Sequence, residues 1–128
     1  MNKTLVILKP DCVYRGLCGY VISQFEQRFI IETMEKVHLT AKQTNALYKK
    51  YKDKPFFPNI MTFMTSGPVV IMVLSGEDTV IVDRARDLAL KLREKLKQDV
   101  SENTIHSSDS PEAAKREIGI FYDKNDSS

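Results

Sequence analysis

The apolar positions of this chain change period several times, and each change marks a structural element. Leu5 to Leu8 is a short unbroken apolar run that stops at Lys9-Pro10, which reads as a buried strand entering a turn. From Tyr14 to Phe29 the apolar residues Leu17, Val21, Ile22 and Phe25 keep helical spacing. Ile30 to Leu39 alternates loosely and is rich in β-branched residues, so a second strand is expected there. Thr40 with Gln43 three residues on is a capping-box pattern, opening a basic helix to about Tyr51. Asp53 to Asn59 contains two prolines and reads as a loop, Ile60 to Met64 as a short helix, and Ser66-Gly67-Pro68 as a turn. Val69 to Leu74 is the third and most apolar strand. Asp78 is placed to cap a long amphipathic helix reaching about Lys97, with Ile81, Ala85, Leu88, Leu92 and Leu96 along one face. Pro111 suits the first turn of another helix, which leads into a final strand from Ile118 to Tyr122.

Strand, helix, strand, helices, strand, helix, strand is an α+β order. It predicts a ferredoxin-like, four-stranded, largely antiparallel sheet with helices packed on it, covered on one side. Residues 1–122 are expected to form one domain, and the polar residues 123–128 a frayed tail.

Composition narrows the classes of function. With 128 residues, 42% of them hydrophobic, the chain can bury a core without cross-links. Its net charge of +2 is too small to demand nucleic acid or an acidic membrane as a partner. The longest apolar runs are strand-length, far short of a membrane span. Met1-Asn2-Lys3 leads straight into a strand rather than a basic-then-apolar signal. Cys12 and Cys18 have no Cys or His partners at metal-site spacing, so they read as reduced thiols and the protein as cytoplasmic.

Only two histidines are present, and they differ in company. His38 lies on the expected second strand with no polar cluster, and reads as a half-exposed strand residue. His106 lies in the polar run Asn103-Thr104-Ile105-His106-Ser107-Ser108-Asp109-Ser110, among hydroxyls and a carboxylate. Imidazole is substantially neutral and nucleophilic at cellular pH, and neighbours of these types can orient it and fix its tautomer.

The run Thr4-Leu5-Val6-Ile7-Leu8-Lys9-Pro10-Asp11, then Arg15-Gly16-Leu17, Pro55-Phe56-Phe57, Ser66-Gly67-Pro68-Val69-Val70, the His106 octet and Glu117-Ile118-Gly119 stand in that order. Together, from Thr4 to about Tyr122, they resemble the nucleoside diphosphate kinases. The resemblance implies a ping-pong transfer in which the γ-phosphate of a nucleoside triphosphate passes to His106 and then to a nucleoside diphosphate. It gives Lys9 and Tyr48 contacts with the moving phosphate. Phe56 becomes the aromatic that stacks on the base, with Ile60 across the ring and Phe57 in the core. Asn103 is the asparagine that bonds the sugar hydroxyl, and Ser108 and Glu117 orient the histidine. Magnesium is expected to arrive on the nucleotide phosphates, with no protein cage. A homo-oligomer is expected, a dimer at least, with tetramer or hexamer open.

The pattern breaks in one region. The family carries a long glycine- and proline-containing loop after its first phosphate-contacting arginine, and this chain has a shortened segment there and a short C-terminus. Arg84 aligns with the first arginine and Arg93 with the second; the loop threonine has no counterpart. On one continuous helix, residues nine apart such as Arg84 and Arg93 face opposite ways at roughly 100° per residue, whereas Arg86 and Arg93, seven apart, share a face. Either the helix breaks or only one of the aligned pair meets the phosphates, with Arg86 in reserve. The missing loop is also expected to leave the pocket open and nucleotide binding weak. Two other readings compete. One is a catalytically weak nucleotide-binding or regulatory module of the same fold. The other is a nucleic-acid-binding domain using Lys42, Lys49, Lys50, Lys52 and Lys54, which lacks an aromatic RNA-binding strand motif.

Overall fold

Strand β1 (Asn2–Leu8) leads through α1 (Pro10–Tyr14) and α2 (Cys18–Glu26) to β2 (Ile30–Val37). Next come α3 (Ala41–Leu47), a 3-10 turn (Lys49–Tyr51), α4 (Phe57–Met64) and β3 (Val69–Gly76). The chain ends with α5 (Ile81–Leu96), β4 (Ile105–Ser107) and α6 (Pro111–Tyr122). The computed structural model describes residues 1–97 and 104–122. The four strands form one sheet in the order β2-β3-β1-β4, each neighbour antiparallel, which is the ferredoxin-like arrangement.

Helices cover both faces of this sheet, not one. Leu5 to Leu8 are all fully buried, which is why they read as an unbroken apolar run rather than an alternating one. Val6 and Leu8 face a cluster with Val21 and Phe25 of α2 and Ile81, Ala85, Leu88 and Leu92 of α5. Leu5 and Ile7 face the other way, toward Leu47 of α3 and Met64 of α4, with Ile118 and Phe121 of α6 packed alongside. Each fully buried Leu, Ile or Phe contributes about 1.5–3 kcal/mol, so β1 anchors both layers.

Two expected elements are corrected. The helix expected over Tyr14–Phe29 is split, because Gly16 takes a positive φ of 70° and closes α1 before α2 starts. The adjoining Arg15 donates to the Leu96 carbonyl at 2.6 Å, tying this turn to the end of α5. The segment Ile118 to Tyr122 is the end of α6, not a strand. Ala114, Ile118, Phe121 and Tyr122 recur at helical spacing, and that face packs inward. The fourth strand is instead Ile105–Ser107, so His106 stands on a strand paired with Ile7 rather than in a loop. The Thr40–Gln43 capping box forms as expected, each partner bonding the other's backbone at 3.0 Å.

Candidate active site

β4 is an outer strand, and a cavity of about 900 Å³ opens beside it. Its walls are α5 on one side and the α3–α4 segment on the other, with Lys9 and Glu117 between. His106 faces this space. Its Nε2 donates to Glu117 Oε1 at 2.8 Å, and Ser108 Oγ donates to the same oxygen at 2.7 Å. A carboxylate accepting from Nε2 fixes the proton there and leaves a lone pair on Nδ1. Glu117 is 4% exposed. Burial alone would raise its carboxyl pKa, but the bonds from His106 and Ser108 and the charge of Arg116 outweigh it and hold it below the ordinary value.

The placement of Glu117 follows from two helix signals. Ser110 caps α6, its hydroxyl accepting from the Ala113 N–H at 3.0 Å, and Pro111 opens the first turn. Glu117 then lies on the inward face, three residues after buried Ala114.

Lys9 terminates β1 and is 8% exposed. Burial, then the Arg93 charge, lower its pKa to about 8, with Asp11 opposing them. Tyr48 follows α3, its ring meeting the His106 ring edge-on at 6.0 Å. Its hydroxyl is buried with no hydrogen-bond partner among the described residues, a donor available to an anion in the cavity. Burial, and the nearby Glu117 charge, push its pKa upward, so it stays a donor. Phe56 heads α4 and is 46% exposed at the cavity, its ring braced by Tyr51 at 5.5 Å, while Ile60 lies one turn along. Phe57 packs on the core. Lys50 and Asp109 form an ion pair of 2.9 Å at the cavity wall.

The arginines separate. α5 runs unbroken from Ile81 to Leu96, so Arg86 and Arg93 both line the cavity. Arg84 does not: it bonds Asp78 and lies over the Phe29 ring at 5.3 Å.

Comparison with known proteins is consistent with this geometry. The family model described as Nucleoside diphosphate kinase matches residues 2–127. The chain belongs to the nucleoside diphosphate kinase family. It is 40% identical to a nucleoside diphosphate kinase of Saccharolobus islandicus over 98% of both chains. With one from Desulfosudis oleivorans it shares 39% identity, covering 95% of this chain and 94% of the other. The crystal structure of the Aquifex aeolicus nucleoside diphosphate kinase superposes with a TM-score of 0.80 at 34% identity, over 94% of each chain. The alignment with the Desulfosudis protein spans 131 positions, more than the 128 residues present, so that nucleoside diphosphate kinase carries residues this chain lacks.

The structure thus brings His106, Ser108, Glu117, Lys9, Tyr48, Phe56, Ile60 and Arg93 together. Asn103 and the 123–128 tail lie outside the described residues. His38 is exposed and away from the cavity, its Nε2 2.8 Å from the Thr65 carbonyl oxygen. Among the described residues no three His, Cys, Asp or Glu side chains cluster as metal ligands. No described helix is long and apolar enough to cross a membrane. Sequence reasoning placed Tyr51 only near the end of the basic helix and Asp109 only among the polar neighbours of His106. Their partners lie near or far along the chain, and the 59-residue gap between Lys50 and Asp109 leaves no local signal.

Proposed function

We propose that this chain is a nucleoside diphosphate kinase that works through a phosphohistidine at His106. The observation that carries the reading is the Glu117–His106 bond in a cavity lined by Lys9, Arg86 and Arg93 beside an exposed Phe56. The nucleotide base stacks on Phe56 with Ile60 against its other face, and stacking tolerates any base because each presents a π face. Nδ1 of His106 attacks the γ-phosphorus of the donor, the bond to the bridging oxygen breaks, and a nucleoside diphosphate leaves. The ring becomes cationic, and Glu117 stabilises that charge through Nε2–H. Lys9, the Tyr48 hydroxyl, Arg93 and Arg86 meet the phosphate oxygens, where positioned charge does most of the work of phosphoryl transfer. A second diphosphate then takes the group in the reverse sense.

Magnesium fits this cavity only as a passenger on the nucleotide. Glu117 is committed to His106 and Ser108, and Asp109 to Lys50, so no cage of oxygen ligands remains among the described residues. The metal, when bound, neutralises phosphate charge. Asn103 is proposed to bond the sugar hydroxyl. We place the enzyme in the cytoplasm, which suits its two free thiols. It assembles as a dimer at least, and the outer strand β2, with Ile30 and Met34 59% and 50% exposed, supports that.

Initial rates with donor triphosphate and acceptor diphosphate both varied test the route. Parallel double-reciprocal lines are expected, with activity abolished in His106→Ala. Intersecting lines exclude the phosphoenzyme, and nucleotide binding without turnover makes the chain a binding module of this fold.

A further inference from the structure

Asp11 has no part in the chemistry above, yet two components of the site converge on it. It sits in the first turn of α1, 5% exposed. One carboxylate oxygen accepts from the Thr104 hydroxyl at 2.9 Å, and the other is buried without a hydrogen-bond partner among the described residues. Thr104 holds a left-handed backbone, φ 58°, a conformation that disfavours β-branched residues and needs its surroundings to impose it. The Thr104 carbonyl in turn accepts the Lys9 N–H at 2.8 Å, and His106 follows two residues later.

A buried carboxylate is costly unless charge compensates it, and one hydroxyl does not. The cations beside it in the chain are Lys9, itself buried, and Arg15 at the end of the same helix. Lys9 shares its cavity with Arg86 and Arg93 from α5, His106 from β4, Glu117 of α6 and Tyr48 after α3. Arg93 works against its protonation and Asp11 in favour.

We propose that Asp11 is a positioning residue for phosphoryl transfer: one oxygen locks the Thr104 turn that aims His106, and its charge keeps the buried Lys9 cationic. The proposal rests on the roles given to Lys9 and His106 under the kinase reading. Asp11→Asn separates the two halves, because the amide oxygen still accepts from Thr104 while the charge is gone.

The test follows the Lys9 side-chain resonance by NMR against pH, assigned by its absence in Lys9→Arg, together with the pH profile of His106 phosphorylation. The wild-type midpoint is expected near 8. In Asp11→Asn it falls by roughly one unit, as loss of a close opposite charge requires. The alkaline limb of the rate moves with it, so the loss of rate deepens as pH rises. An unmoved midpoint, or a wild-type midpoint near the ordinary lysine value of about 10.4, overturns the charge half. Thr104→Val tests the other half and keeps Asp11 in place even if Asp11→Asn does not fold. Phosphorylation is expected to slow several-fold at every pH with the Lys9 midpoint kept, and an unchanged rate overturns it. A midpoint that moves in a protein with no transfer activity contradicts the kinase reading and leaves the charge half of this one standing.

Discussion

Glu117 carries two donors on one buried oxygen, and its charge is placed to act when the His106 ring becomes cationic. Glu117→Gln keeps the acceptor by turning its amide and removes only the charge. We expect kcat to fall by about 100-fold, the scale of losing one electrostatic stabiliser, with KM little changed. Steady-state kinetics checks this, and a rise in KM at constant kcat contradicts it. The same carboxylate sets part of the acid stability. Its pKa is lowered in the folded chain, so its contribution is present above the ordinary glutamate value and is lost as pH falls through the lowered one. Acid denaturation of Glu117→Gln is therefore expected to show a shallower loss of stability than wild type over that window. Single residues were the most legible level of the sequence: Lys9, Phe56 and His106 each stand in a run that carries the resemblance, and Tyr48 lies a few residues before one. What stayed hidden was the support behind the Thr104 turn. Asp11 and Thr104 are 93 residues apart, and nothing local in either run announces the other.

Among the elements, α5 decides which of its arginines face the cavity. Its continuity from Ile81 to Leu96 turns Arg84 away and brings Arg86 and Arg93 to one wall. A charge-assisted hydrogen bond to phosphate contributes about 1.5–3 kcal/mol, so Arg93→Ala is expected to raise KM for the nucleotide roughly 10–100-fold. Arg86→Ala is expected to do so less, and Arg84→Ala to leave KM unchanged. Equal effects at 84 and 93 contradict the helix geometry. The seven-residue spacing of Arg86 and Arg93 was the readable signal, whereas alignment by order alone favoured Arg84. Apolar period also gave the three longer strands and α5, and the polar pair Thr40 and Gln43 gave the capping box. It failed at Ile118 to Tyr122, where a short apolar run fits strand or helix and only tertiary packing against β1 decides. It failed again at β4, whose three residues include only one apolar side chain.

At the scale of the molecule, the sheet ends at β4 while helices cover both of its faces, and the cavity occupies the space beside that open edge. A rigid strand aims the nucleophile, α6 behind it supplies the carboxylate, α5 the cations and the α3–α4 segment the aromatic surface. No single run of sequence holds these four parts, and their assembly depends on β1 pairing with both β3 and β4. The shortened segment before His106 leaves the helix cations in place, which is why transfer rather than binding alone is the expected outcome. The most direct measurement is incubation with γ-labelled ATP, comparing wild type with His106→Ala. The account predicts acid-labile label on the wild type alone, discharged to triphosphate on adding any nucleoside diphosphate. Label that persists in His106→Ala, or never forms on wild type that binds nucleotide, contradicts it.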